Sequence, residues 1–289
     1  MLKSTDARCV DASLTGGKGS SLAILNAVRG VVVPAFFCVS TDGFREVLRS
    51  SEAARGQLAK LQEISDLGGV ANAGSGLSRE GSNSEKHDSQ RELFKAAAVL
   101  RSTVEALPFP PAVAKEIKGA YGDLSAAAAE AGAPVAVRSS ATTEDTKEAS
   151  FAGQHDTFLN QRGLQDVVAS VRRCWASCFT DRAVEYRNRN VIPHRDAVMS
   201  VVVQQMILPS VAGTAFSEEL STGFPAIHIT ASYGQSLPPT PPRALRSPWP
   251  PAPPSWVCSA LCFLRESVRP PLAQRLPPPA PCLKLFYCC

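Results

Sequence analysis

Proline placement constrains this chain more than any other feature. Fifteen of its 23 prolines fall after Leu237. Proline fixes φ and lacks an N–H, so that density excludes helices and sheet ladders there. A regular fold is therefore expected over residues 1–236, with a Pro-rich, irregular and disordered tail over 237–289. The tail also distorts the charge balance. It holds six basic residues and one acidic residue, Glu266, within a net charge of +4, which leaves the body at −1. A near-neutral body gives no electrostatic reason to expect nucleic acid as a partner. Segments such as Pro-Trp-Pro-Pro-Ala-Pro-Pro would suit an SH3- or WW-type partner. The abrupt break and the scatter of cysteines fit a shifted frame or translated intron better.

The body is large enough for a sizeable core. No apolar run reaches the roughly 18 residues of a membrane span, so no membrane partner is expected. No signal peptide precedes the first motif, and a reduced, cytoplasmic setting follows. Four of the nine cysteines, Cys9, Cys38, Cys174 and Cys178, lie in the body. Cys174 and Cys178 share a helical face, but no further ligands stand at metal-site spacing, so they read as buried free thiols.

Local pattern predicts the order of elements. A glycine loop at 16–19 opens a helix to about Val28. A strand lies within Val31–Val39, and a helix over 43–50 is capped by Thr41 or Asp42. Residues 52–66 read as helix and 67–90 as a flexible insertion. Helices are expected over 91–107 and 111–131, the second with proline at its start. A short strand at 134–138 leads into a loop at 139–155. A strand near 156–159, a helix over 164–179 and β-rich segments at 197–207, 213–216 and 226–230 complete the body. Early helices with strands gathering later indicate an α+β fold.

The chemistry centres on Pro134 to Gln154. The apolar run Val135–Val137 reads as a buried strand and delivers Arg138 to its end. A loop of Ser139, Ser140, Ala141 and Thr142 follows. Arginine offers a fork of donors to phosphate oxygens, and small residues let backbone N–H groups approach. Gly16-Gly17-Lys18-Gly19 adds a second glycine loop with a mobile cation. It is not a P-loop, because Ala12 and Gly19 stand where glycine and Ser/Thr would be needed. From sequence alone, Val201 to Ile207 is a plain core strand running to an edge.

The segment VAVRSSATTEDTKEASFAGQ resembles the AMP/ATP-binding domain of the phosphoenolpyruvate synthase (pyruvate, water dikinase) and pyruvate, phosphate dikinase family. Collinear with it are Gly16–Gly19, Val33–Thr41, Trp175–Ala183, Val203–Ile207 and Ala212–Ser217. The resemblance covers roughly residues 8–234. It implies an ATP-grasp-like domain of two lobes spanning 1–236 and truncated on its C-terminal side. It implies ATP as ligand, with Lys18 and Arg138 toward the phosphates and Ser139, Ser140 and Thr142 as candidate hydroxyl donors to them. Gly153 and Gln154 would belong to a lid, and Gln204, Met206 and Ile207 to the adenine site. The family reaction converts ATP, pyruvate and water to phosphoenolpyruvate, AMP and phosphate through a phosphohistidine. Relatives transfer phosphate to antibiotics or glucans instead, and a non-catalytic nucleotide-binding or scaffold fragment is the remaining alternative.

The resemblance also has gaps. His87, His155, His194 and His228 lie in no Gly-rich Ser/Cys-His motif of the carrier-domain kind. The phosphohistidine and pyruvate domains have no counterpart in these residues, and no catalytic residue is assigned. Gln235 and Ser236 stand where relatives continue into acidic residues that hold Mg²⁺ and the γ-phosphate. The metal ligands are therefore unassigned, and the competence of this chain as a phosphotransferase is open.

Overall fold

The structure, a computed structural model, describes residues 1–73, 83–142, 145–146, 149–150, 156–216 and 228–233. The chain divides into two compact units. One holds Met1–Ile24 and Ala35–Met206; the other holds Leu25–Pro34 and the chain from Ile207 onward.

The first unit is built on a five-stranded antiparallel sheet. Its strands are β1 (Leu2–Lys3), β2 (Phe36–Val39), β3 (Val135–Ala141), β6 (Thr157–Gln161) and β7 (Met199–Gln205), in the order β1-β2-β7-β3-β6. Two further two-residue strands, β4 (Asp145–Thr146) and β5 (Ala149–Ser150), pair as a separate ladder. With its helices, the unit is α+β, as the sequence indicates.

Register decides which side chains share a face. Arg138 lies opposite Val202, Ala136 opposite Gln204, and Ser140 opposite Ser200 on β7. Phe36 pairs with Gln204 and Cys38 with Val202 across β2. Directly paired residues point to the same side. The even-numbered residues of β2, β3 and β7 therefore form one face and the odd-numbered residues the other. The odd face, with Phe37, Val39, Val135, Val137, Ala141, Met199, Val201 and Val203, enters the hydrophobic core. Both faces are buried, which explains the near-continuous apolar runs of these strands.

Helices cover the odd face. They are α2 (Thr41–Ser50), α3 (Glu52–Ala73), α4 (Asn83–Ala106), α5 (Pro111–Ala127) and α6 (Gly163–Ala176). Helix α6 packs on β3 and β7, and α4 packs on α6 and α3. Trp175 is fully buried where they meet. Its ring stacks on Phe44 at 5.1 Å and tilts against Phe109 at 5.2 Å. Helix α7 (Asp181–Arg189) follows, capped by the Thr180 side chain. Asp181 pairs with Arg101 of α4 at 3.7 Å.

Several expected boundaries are corrected. The cap of α2 is Ser40, whose hydroxyl accepts from the Gly43 N–H, rather than Thr41 or Asp42. Thr41 instead donates its hydroxyl to the Ser13 carbonyl at 2.8 Å. Helices α3 and α4 extend to Ala73 and from Asn83, into both ends of the segment read as a 67–90 insertion. Helix α5 stops at Ala127 rather than residue 131, followed by Ala129 and Gly132 at positive φ. Strand β3 runs on to Ala141, because β7 pairs with the whole Ser139–Ala141 stretch that reads as loop. In the second unit, β8 (Val211–Phe216) and β9 (His228–Tyr233) form an antiparallel hairpin. The Pro-rich tail lies outside the described residues.

Candidate functional site

Helix α1 (Ala12–Asn26) is interrupted at Gly16, where φ is 69° and ψ 175°. That backbone region is essentially open only to glycine. Space requires glycine as well, because a Cβ there would fall on the carbonyl and hydroxyl of Ser140. The glycine loop thus lies flat against the end of β3. The helix restarts at Gly17, and a helix start presents N–H groups without intrahelical acceptors.

Around this contact the site is assembled from distant parts of the chain. The Lys18 ammonium donates to the Ser139 carbonyl at 3.1 Å. The Gly19 N–H donates to Ser140 Oγ at 3.1 Å. Ser140 Oγ in turn donates to the Thr15 carbonyl at 2.7 Å. Thr15 is fully buried, and its hydroxyl donates to the Cys9 carbonyl at 2.8 Å. A Cβ on Gly19 would stand 2.9 Å from the Thr15 Cβ and 3.1 Å from Cys38 Sγ, so a small residue is needed there too. Cys38 hydrogen-bonds with Cys9, and this contact together with burial pushes its thiol well above the ordinary range.

Arg138 shares the even face with Ser140 and is 7 % exposed. Arg138 is thus the central residue of β3, not its last as the apolar run Val135–Val137 suggests, and it adjoins in sequence the Ser139 carbonyl that receives Lys18. Gln204 lies on the same face, on the neighbouring strand, and is also 7 % exposed. Met206 is half-buried, and its N–H is bonded to the Pro134 carbonyl at 2.9 Å. Of the other expected site residues, Thr142 is half-buried just past β3. Ser139 is fully buried on the odd face. Its carbonyl meets Lys18, while its hydroxyl has no hydrogen-bond partner among the described residues. Ile207 is half-buried and belongs to the second unit. Gly153, Gln154 and His155 lie outside the described residues.

The donor set suits an anion. Among the described residues, no group of three or more His, Cys, Asp or Glu could hold a metal ion. Cys174 and Cys178 are buried free thiols, and burial raises the Cys174 thiol far above its usual range. His194 is occupied elsewhere. Its Nδ1 accepts from the Arg187 guanidinium at 3.1 Å, and Arg187 also donates to the Cys178 carbonyl at 2.6 Å. Burial, reinforced by the Arg187 charge, holds the imidazole down to about 4. Burial also lowers Arg187 to about 10.

Sequence reasoning did not anticipate the parts played by Thr15 and Ser140. No local signal marks Thr15. Extending the strand period past Arg138 would have placed Ser140 on the arginine's face and Ser139 on the other.

Residues 12–237 match the family model "Pyruvate phosphate dikinase, AMP/ATP-binding domain". A rifampicin phosphotransferase of Streptomyces sp is 38% identical over 211 residues, covering 72% of this chain and 21% of the relative. The probable phosphoenolpyruvate synthase of Pyrococcus horikoshii is 34% identical over 236 residues, covering 78% and 29%. The phosphoenolpyruvate synthase of Deinococcus radiodurans is 35% identical over 233 residues, covering 78% and 26%. The chain thus spans less than a third of the length of these relatives. A family model matched over most of its length shows that the chain belongs to the pyruvate phosphate dikinase AMP/ATP-binding domain family.

Proposed function

We propose that these residues bind ATP as the nucleotide half of a phosphoenolpyruvate synthase-like phosphotransferase with an ATP-grasp-like fold. The observation that carries this reading is the Lys18 loop lying against the end of β3, beside Arg138. Phosphate oxygens there would meet an ammonium, a guanidinium fork and the N–H groups of a helix start. Gln204 and Met206, on the adjacent strand end, would face the adenine. Ser139 contributes its carbonyl as the resting partner of Lys18 rather than a hydroxyl donor. Mg²⁺ would supply charge neutralisation in such chemistry; the described residues offer no carboxylate set for it.

Equilibrium titration of the 289-residue chain with ATP tests the proposal. Binding is expected, with Lys18→Ala weakening it roughly 10- to 100-fold, the scale of one charge-assisted hydrogen bond. No ATP binding, or equal binding by the variant, would refute it.

A second reading concerns the acceptor. The rifampicin phosphotransferase of Streptomyces sp, at 38% identity, favours an antibiotic acceptor as much as the synthases favour pyruvate. Both readings use the same nucleotide site. They are distinguished in a chain that also carries the acceptor and phosphohistidine domains, supplied with ATP, by phosphorylation of added rifampicin as against conversion of added pyruvate to phosphoenolpyruvate.

A further inference from the structure

In an uninterrupted helix the Gly19 N–H would bond the Thr15 carbonyl, four residues back. Gly16, between them, leaves the helical region. Ser140 Oγ stands between them, accepting from Gly19 at 3.1 Å and donating to Thr15 at 2.7 Å. A hydroxyl carries a single proton, and this one is committed to Thr15. Ser140 is fully buried, on the same strand as the carbonyl that receives Lys18. A side chain inserted into the helical ladder is a recognised cause of a fixed kink. Here the inserted side chain comes from another element, 121 residues from Gly19.

We propose that Ser140 is a positioning residue: it splices the broken turn of α1 onto β3 and so sets the height and direction of Lys18 at the site. It is not itself a phosphate ligand. The splice is a property of the folded chain; its effect on nucleotide rests on the reading proposed above. Three groups define the splice, the Thr15 carbonyl, the Ser140 hydroxyl and the Gly19 N–H. Removing the middle one takes a hydrogen bond from each of the outer two, so residues 15–20 open locally more often.

Amide hydrogen exchange on the full chain tests this independently of nucleotide. In Ser140→Ala, the Gly16–Ser20 amides are expected to exchange at least about tenfold faster, while Phe36–Val39 and Val201–Val203 keep their protection. Ser140→Cys, a weaker donor and acceptor, should fall between alanine and wild type. Unchanged exchange over 16–20 overturns the proposal. So does parallel loss of protection in loop and sheet in both variants, which would make Ser140 a general stability residue. ATP and inorganic tripolyphosphate titrations supply the second arm. Ser140→Ala should weaken both about five- to tenfold in the wild-type background and neither in a Lys18→Ala background, because the serine acts through the lysine. Additive losses would make Ser140 a direct ligand and overturn the assignment. A wild-type chain that binds no nucleotide refutes the nucleotide reading alone, since the exchange arm still decides the splice.

Discussion

The two faces of the central sheet are equally buried and differently made. The odd face of β2, β3 and β7 is almost wholly aliphatic and aromatic. The even face of the same strands carries Cys38, Arg138, Ser140, Ser200 and Gln204. Burying apolar groups stabilises without demanding partners, whereas each buried polar group costs free energy until it is hydrogen-bonded. A fold seeking only stability would make both faces alike. The polar face is where the glycine loop docks, and its Ser140 bonds that loop's backbone at Gly19 and Thr15.

Substitutions that act on one face at a time break or sharpen this contrast. The largest effect is expected from Trp175→Ala on the helical side. Loss of a fully buried indole should cost about 3–5 kcal/mol in denaturant unfolding. Any variant that stays folded should keep the ATP affinity of wild type.

Gly16→Ala acts on the other face. It demands a backbone region closed to alanine and drives a methyl group into Ser140, so the loop must lift from β3. A loss of about 2–3 kcal/mol in stability is expected, together with a fall in ATP affinity. A folded variant with normal affinity would show that the docked loop is not the binding conformation.

The helical side also has a polar cluster around His194 and Arg187, and pH isolates it. His194 is neutral in the fold, down to about 4, against an ordinary value near 6.5. The unfolded chain takes up a proton near 6.5 while the native chain does not. Stability is therefore full above pH 6.5, falls as pH drops toward 4, and levels off below. The loss should approach about 2–3 kcal/mol. His194→Gln should flatten that segment of the stability profile; an unchanged slope would assign it to other groups.

The smallest effect should separate two neighbours. Ser139 and Ser140 are adjacent, both fully buried, and on opposite faces. Ser139 Oγ has no partner among the described residues, so Ser139→Ala should be neutral or stabilising by up to about 1 kcal/mol, measured as a shift in the unfolding midpoint. Loss of stability comparable to that of Ser140→Ala would mean that the two faces are not distinguished as described.

The sequence made much of this legible. The apolar runs at 135–137 and 201–203 identified two central strands, and proline at the start of α5 marked its beginning. Other features depended on tertiary contacts. Ser139–Ala141 has weak strand propensity and became strand because β7 lies alongside. The Gly- and Asn-bearing ends of α3 and α4 are helical despite their composition. At the site, Lys18 and Arg138 could each be singled out as phosphate-seeking. The docking of Lys18 on β3 could not be read from spacing, since that hydrogen bond spans 121 residues. Thr15 was invisible because its contribution is a carbonyl, which every residue has.

The spliced turn of α1 also bears on the order in which the protein acquires its structure. A helix whose continuity depends on a residue 125 positions away cannot complete itself locally. Pairings of such separation form only after much chain entropy has been surrendered. The loop carrying Lys18 therefore takes its final shape after β3 has joined the sheet. A chain emerging during synthesis would present its glycine loop early but gain affinity for nucleotide late, so that binding doubles as a signal that the sheet is complete.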